Sequence, residues 1–238
     1  ATLSCALTMP GVVVLHDLNI EGVYADLLKN RLIDQSRYDL EVELDSRAGN
    51  KSKFITSLVN RQRSVIIHSD YAQKIVGDLL LPQSHTSLVR ANLATPTPKY
   101  AIDSKVGGQF VVGLAGILAN IKGLGVIERI AQSPEFKHDR ILLFGLNFAE
   151  PGSLDRLRRL PNVSVTTDLS DFEFQEKMKE LSVFINFRTH YQGEASSATL
   201  EAMRYGIPVV VRSDFGWYAE LPDDAVIKVK TEQEIVPA

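Results

Sequence analysis

Cysteine is nearly absent from this chain. Cys5 is the only one in 238 residues, which excludes an internal disulfide framework and suits a reducing compartment. Charge of one sign is not in excess either: 26 Lys and Arg stand against 29 Asp and Glu, for a net charge of −3. Nothing therefore points to nucleic acid or another polyanion as partner. No apolar run approaches the roughly 20 residues that a membrane helix needs. The longest candidate, Phe110 to Ile121, is interrupted by Gly113, Gly116 and Asn120. Peripheral contact with a membrane stays compatible with this, and the expected location is the cytoplasm. The apolar start, Ala1 to Pro10, carries no basic segment and does not read as a signal peptide. The chain does not begin with Met, and it reads as an incomplete copy of a longer protein. It lacks GxxxxGK[ST], HExxH, paired cysteines and GxSxG, and no GxGxxG opens a helix. No metal site and no bound cofactor is expected.

What is present is an ordinary globular composition, 45% hydrophobic and 23% charged, at a length that fits one large or two small domains. Ala1 to Met9 reads as the tail of a helix. Val12 to Leu15 reads as a buried strand that delivers His16 and Asp17 at its carboxyl end. Leu18 to Leu28 has mixed helical spacing, and Arg31 to Asn50 is polar with weak periodicity. Lys53 to Asn60 is helical in pattern. Val65 to Ile67 is a second buried strand, ending at His68-Ser69, with a helix expected over Tyr71 to Leu80. Pro82 to Lys99 shows little periodicity, and Pro96-Thr97-Pro98 is the best linker candidate. Then strands alternate with helices: Phe110–Leu114, Lys122–Ala131, Ile141–Phe144, Gly152–Leu160, Val163–Val165, Asp171–Leu181, Val183–Phe187, a short helix, Val209–Val211 and Val226–Ile227. Phe172, Phe174 and Met178 are expected core contacts. This alternation predicts a doubly wound parallel sheet. The expected domains are 1–98, with two strands and the linker, and 99–238.

The chain is organised around Arg188 to Pro208. Here a strand ends, a polar loop carries Gly193-Glu194, and a helix carries Glu201. Ser196 or Ser197 suits the N-cap and Gly206 the C′ position, with Pro208 preventing continuation. In open parallel sheets ligands bind at the carboxyl ends of strands. Glu194 and Glu201 are close to two helical turns apart in sequence. Carboxylates suit polyhydroxylated ligands, because each offers acceptor oxygens to paired hydroxyls. The plainer account is a first-turn acid and a solvated residue. The free N–H groups at Ser196-Ser197 form an anion site or are simply capped. Lys122-Gly123 is a phosphate ligand or a surface lysine. Arg188 suits phosphate or partners a neighbouring acid. His16 is a hydrogen-bonding ligand or a core histidine bonded to backbone.

Taken together, Phe110 to Gly123 (FVVGLAGILANIKG), Ile141 to Gly145 (ILLFG), and above all Leu181 to Pro222 (LSVFINFRTHYQGEASSATLEAMRYGIPVVVRSDFGWYAELP) resemble the family 4 glycosyltransferases of the GT-B type, in their bacterial branch. GVVVLHD and VIIHSDYAQKIV look like strand ends of the partner domain. The resemblance implies an α/β GT-B architecture, two Rossmann-like domains facing a cleft, the N-terminal one incomplete here. It implies a retaining, metal-independent transfer of a hexose from a nucleoside diphosphate-sugar to a saccharide or lipid-linked acceptor in carbohydrate biosynthesis. By the same resemblance Glu201 holds the ribose hydroxyls. Glu194 and the amides around Ser196 and Ser197 face the donor sugar and diphosphate beside Gly116. Lys122 and Arg188 neutralise the leaving group, and His16 reaches the transferred sugar. The sequence departs from the family pattern at Gly116-Ile117, where an arginine commonly follows the glycine, and in the seven-residue carboxylate spacing, commonly eight. The glycine-rich loop expected before Pro10 is absent from it. A non-catalytic nucleotide-sugar-binding or interaction module with the same fold and a GT-B sugar epimerase are the alternatives.

Overall fold

The computed structural model describes residues 2–47, 49, 54–95, 109–190 and 193–235. The chain divides into two compact units, Ala1–Leu93 with Gln192–Ala195 and Ala94–Tyr191 with Ser196–Ala238. The linker candidate Pro96-Thr97-Pro98 lies outside the described residues.

The first unit runs α1 (Thr2–Thr8), β1 (Val12–Val14), α2 (Glu21–Lys29), α3 (Gln35–Arg47), α4 (Thr56–Arg61), β2 (Ser64–Ile67), α5 (Asp70–Leu79) and β3 (Ser87–Arg90). The strands form a parallel sheet in the order β1-β2-β3. Tyr24, Ile55, Val59, Val65, Ile67 and Val76 form the centre of its core. Three strands are present where two were expected. β3 was hidden because it lies at the end of the strand order and only Leu88 packs against the core. β1 is not the fully buried strand its valines suggested. Successive side chains point to opposite faces, and Val12 and Val14 share an exposed one. The weak periodicity of Arg31 to Asn50 has a specific cause: α3 buries carboxylates rather than apolar groups. Glu41 accepts from the Tyr24 hydroxyl at 3.2 Å and from Arg37 at 2.9 Å, and Asp45 accepts from the Phe54 amide at 2.9 Å.

The second unit runs β4 (Val111–Leu118), α6 (Leu124–Gln132), β5 (Arg140–Asn147), α7 (Ser153–Arg158), β6 (Val163–Thr167), α8 (Asp171–Lys179), β7 (Val183–Asn186), α9 (Ser197–Arg204), β8 (Val209–Arg212), α10 (Gly216–Glu220) and β9 (Ile227–Val229). Its six strands are parallel in the order β6-β5-β4-β7-β8-β9. Val112, Leu114, Ile141, Leu143, Ile185 and Val210 lie in one core cluster with the inner face of α6. The chain winds outward from β4 in one direction, returns through β7, and winds outward in the other. That reversal is the switch point at which doubly wound sheets open a crevice. Among the helices, α6 begins at Leu124 rather than Lys122, and Phe172 is exposed rather than in the core. Phe174 and Met178 share a face of α8 at i, i+4; Phe172 stands off it. Phe174 meets Phe144 edge-on, with ring centroids 5.2 Å apart.

One pair of residues sets how closely β4 and β5 approach. Gly116 and Gly145 are register partners, at φ of 98° and 138°. A Cβ on Gly145 would lie 1.8 Å from the Gly116 carbonyl oxygen, closer than any atom pair tolerates. Replacing Gly145 by Ala is expected to cost at least about 3 kcal/mol, through backbone strain and overpacking together. Gly77 lies in α5 with nothing within 4 Å of its would-be Cβ, so Gly77→Ala is expected to stabilise by roughly 0.5–1 kcal/mol. Urea unfolding of the two variants checks both signs.

Candidate functional site

The carboxyl end of β7 leads into a buried polar cluster. Asn186, its last residue, donates through Nδ2 to Ser196 Oγ at 2.9 Å and to Thr199 Oγ1 at 2.6 Å. Ser196 is the N-cap of α9, and its hydroxyl accepts the Thr199 amide at 3.2 Å. One serine oxygen thus ties the helix start to the end of the strand. Tyr218 of α10 reaches the same place, beside Ser196, Arg188 and Asn186. The Arg188 guanidinium lies 5.7 Å from the Tyr218 ring centroid and is only 4% exposed. Burial pushes the Tyr218 phenol well up, and the Arg188 charge is the largest influence pulling it back.

On the outer side of the same helix start is a pocket of about 320 Å3, lined by Gly116, Asp171, Phe174, Gln175, Ser197, Ala198, Glu201 and Arg204. It opens between Gly116 of β4 and the start of α9, the helix that follows β7, and so beside the switch point. Gly116 approaches so closely that a Cβ there would stand 3.3 Å from that of Ala198. Arg204 Nη1 donates to both carboxylate oxygens of Glu201, at 2.9 and 3.1 Å. Its guanidinium also lies 5.5 Å from the Tyr205 ring centroid. The pair is mostly buried, with 12% and 19% of the side chains exposed, so the Glu201 carboxylate is held in a fixed orientation by a fixed cation.

Of the residues singled out from the sequence, Gly116, Ser197 and Glu201 line this pocket. Ser196 and Arg188 belong to the buried cluster behind it. Lys122 ends a single 3-10 turn, Asn120–Lys122. That turn lies along the segment after β7: the Thr189 amide donates to Ile121 O at 3.1 Å, and a Cβ on Gly123 would stand 2.4 Å from Phe187 O. Lys122 and Arg188 therefore come from neighbouring backbone, and neither lines the pocket. Glu194 is buried and groups with the first unit, as does His16, whose Nδ1 lies 3.1 Å from His68 Nε2. Sequence reasoning missed Arg204, Asp171, Gln175 and the Arg188–Tyr218 pairing. Only Arg204 had a visible signal, its i, i+3 spacing from Glu201. Among the described residues no three His, Cys, Asp or Glu side chains gather as a metal site, and no helix is long and apolar enough to cross a membrane.

No protein-family profile and no curated protein sequence matches the chain. Solved structures do. Alr3699/HepE from Anabaena, determined in complex with UDP-glucose, superposes with a TM-score of 0.62 at 18% identity, over 96% of this chain and 61% of that one. Sucrose-phosphate synthase from Thermosynechococcus elongatus gives 0.65 at 15% identity, over 95% and 57%. The lipopolysaccharide outer core galactosyltransferase WaaB, in its apo form, gives 0.55 at 13%, over 99% and 67%. The chain has a GT-B type fold. It spans about three-fifths of the length of the first two structures.

Two expectations follow for this part of the GT-B fold. Ser196→Ala removes a helix cap and the acceptor for Asn186 at once, and is expected to lower stability by about 1–2 kcal/mol in urea unfolding. The Tyr218 phenol keeps its proton in the folded state at a pH where the unfolded chain has lost it. Its contribution is fully present below the free phenol range, about pH 10, and is lost as pH rises beyond it. Tyr218→Phe is expected to flatten the alkaline fall of the unfolding free energy in urea without altering its value between pH 6 and pH 8 by more than a hydrogen bond is worth, about 1 kcal/mol.

Proposed function

We propose that this chain is part of a retaining glycosyltransferase that moves a hexose from a nucleoside diphosphate-sugar to a saccharide or lipid-linked acceptor. The observation that carries this reading is the pocket at the switch point, with Glu201 oriented at its wall and the capped start of α9 at its edge. A carboxylate has more acceptor positions than the Arg204 Nη1 group fills, so Glu201 can also accept from the two ribose hydroxyls. Gly116 has no side chain to obstruct a close-lying ligand, and the first-turn amides beginning at Ser197 offer N–H groups to a diphosphate. The UDP-glucose held by the Anabaena structure is a ligand of this chemistry.

Transfer breaks the bond between the anomeric carbon and the diphosphate oxygen, and negative charge passes to the leaving group. Fixed positive charge and oriented N–H groups stabilise that charge as it forms. Lys122 is the mobile cation for this purpose. Arg188 contributes as a charge held beneath the helix start rather than as an exposed ligand, given its burial against Tyr218. His16 and Glu194 act on the transferred sugar. The reaction needs no bound cofactor under this reading; the nucleotide-sugar is the substrate.

Isothermal titration of the chain with UDP-glucose and with GDP and ADP sugars tests the proposal. One of these is expected to bind, and Glu201→Ala is expected to weaken it by about tenfold to a hundredfold, the worth of hydrogen bonds to a charged group. Lys122→Ala is expected to weaken the nucleoside diphosphate more than the nucleoside. Absence of binding by any of the nucleotides, or binding indifferent to Glu201→Ala, sinks the reading.

A further inference from the structure

His16 and His68 were read separately in the sequence, yet parallel register makes them neighbours. β1 pairs with β2 so that Val14 lies opposite Ile66, and β2 pairs with β3 so that Ile67 lies opposite Arg90. Continued two residues past β1, the first register sets His16 opposite His68. Continued one residue past β2, the second sets His68 opposite Ala91. Backbone bonds hold these continuations in place: the Leu15 amide donates to Ile66 O at 2.8 Å, and the Ala91 amide to Ile67 O at 2.9 Å. The row His16, His68, Ala91 thus crosses the carboxyl edge of the sheet in the first unit.

The hydrogen bonds along this row fix a proton. His68 Nδ1 lies 2.8 Å from the Ala91 carbonyl oxygen. A carbonyl only accepts, so His68 Nδ1 carries the hydrogen. In a neutral ring the other nitrogen is then bare. His68 Nε2 faces His16 Nδ1 at 3.1 Å, and two bare nitrogens, or two N–H groups, at that distance repel. His16 therefore carries its hydrogen on Nδ1 and donates it to His68. Its Nε2 is left with a lone pair. His68 is buried at 8% exposure, so no water competes freely for its ring, while His16 is exposed. One imidazole is anchored by backbone, and it in turn orients a second that faces outward.

We propose that His68 is a positioning residue that locks His16 in the Nδ1–H tautomer, so that His16 Nε2 accepts a hydrogen bond from a ligand hydroxyl rather than donating one to a phosphate. This deepens the reading of His16 as a group acting on the transferred sugar, and it rests on that reading for the identity of the ligand. The tautomer itself rests only on the Ala91 carbonyl and the two ring distances.

Long-range proton–nitrogen NMR of the full chain with labelled histidine, assigned through single His→Gln variants, reads the tautomer of each ring directly. At a pH where both rings are neutral, His16 is expected in the Nδ1–H form. His68→Phe removes the acceptor and is expected to move the His16 tautomer ratio toward Nε2–H by about fivefold, the effect of one hydrogen bond. His68→Gln keeps an amide oxygen toward His16 and an amide N–H toward Ala91, and is expected to restore the wild-type ratio. A wild-type His16 protonated mainly on Nε2, or a ratio unmoved by His68→Phe in a folded protein, overturns the proposal. Should His68→Phe not fold, the wild-type spectrum and His68→Gln decide it. Calorimetry with UDP-glucose and with GDP and ADP sugars on the same samples keeps the two readings apart: binding of none of them refutes the nucleotide-sugar assignment while the tautomer measurement still stands or falls by itself.

Discussion

The second unit depends on a contact with no room for a side chain. Where β4 and β5 run side by side, the Gly116 carbonyl occupies the space a Cβ on Gly145 would need. Both residues take backbone angles that favour glycine, so β4 can turn at its carboxyl end without losing its partner. That turn brings Gly116 against Ala198 at the start of α9. The pocket exists because a strand end and a helix end come within a methyl group of each other at the point where the sheet reverses its winding. A larger residue at either glycine would push the strand and the helix apart and take Glu201 with them.

The same helix start is fixed from behind. Ser196 accepts from Asn186 and from the Thr199 amide, so strand, cap and first turn move together. Tyr218 and Arg188 complete a polar cluster that burial would make costly if its members were left unsatisfied. The Arg188 guanidinium packs against the Tyr218 ring face, 5.7 Å from its centroid. An arginine so enclosed has little freedom to follow a ligand. Glu201 and Arg204, by contrast, stand on the pocket side of α9 and line its wall.

The sequence made the second unit readable because its central strands are largely buried on both faces. Runs such as Ile141 to Phe144 and Val209 to Val211 have one physical explanation in a doubly wound sheet. The first unit was less readable for equally physical reasons. β3 shows one packed residue in four. β1 has two of its three valines on an open face, and α3 buries Glu41 and Asp45, which a hydrophobic pattern does not detect. In the site, Glu201, Ser196, Ser197 and Gly116 were legible from capping and loop chemistry, because those properties act within a few residues. The partnership of Arg188 with Tyr218 spans 30 positions and depends on α10, a helix too short to announce itself.

Register explains the last difference. A histidine at the end of a strand has no partner visible in its own neighbourhood, and His16 was open to a plain reading as a core histidine bonded to backbone. Two parallel strands of fixed offset convert the separate ends into adjacent positions. A third strand then supplies the carbonyl that decides where the protons sit. The chemistry of His16 is thus set by Ala91, a residue with no functional side chain and 75 positions away in the chain. A parallel sheet gathers all its carboxyl ends along one edge, so tautomer control of this kind needs no dedicated acid or base. It needs only that the histidines end their strands in register, and that the next strand presents a backbone acceptor.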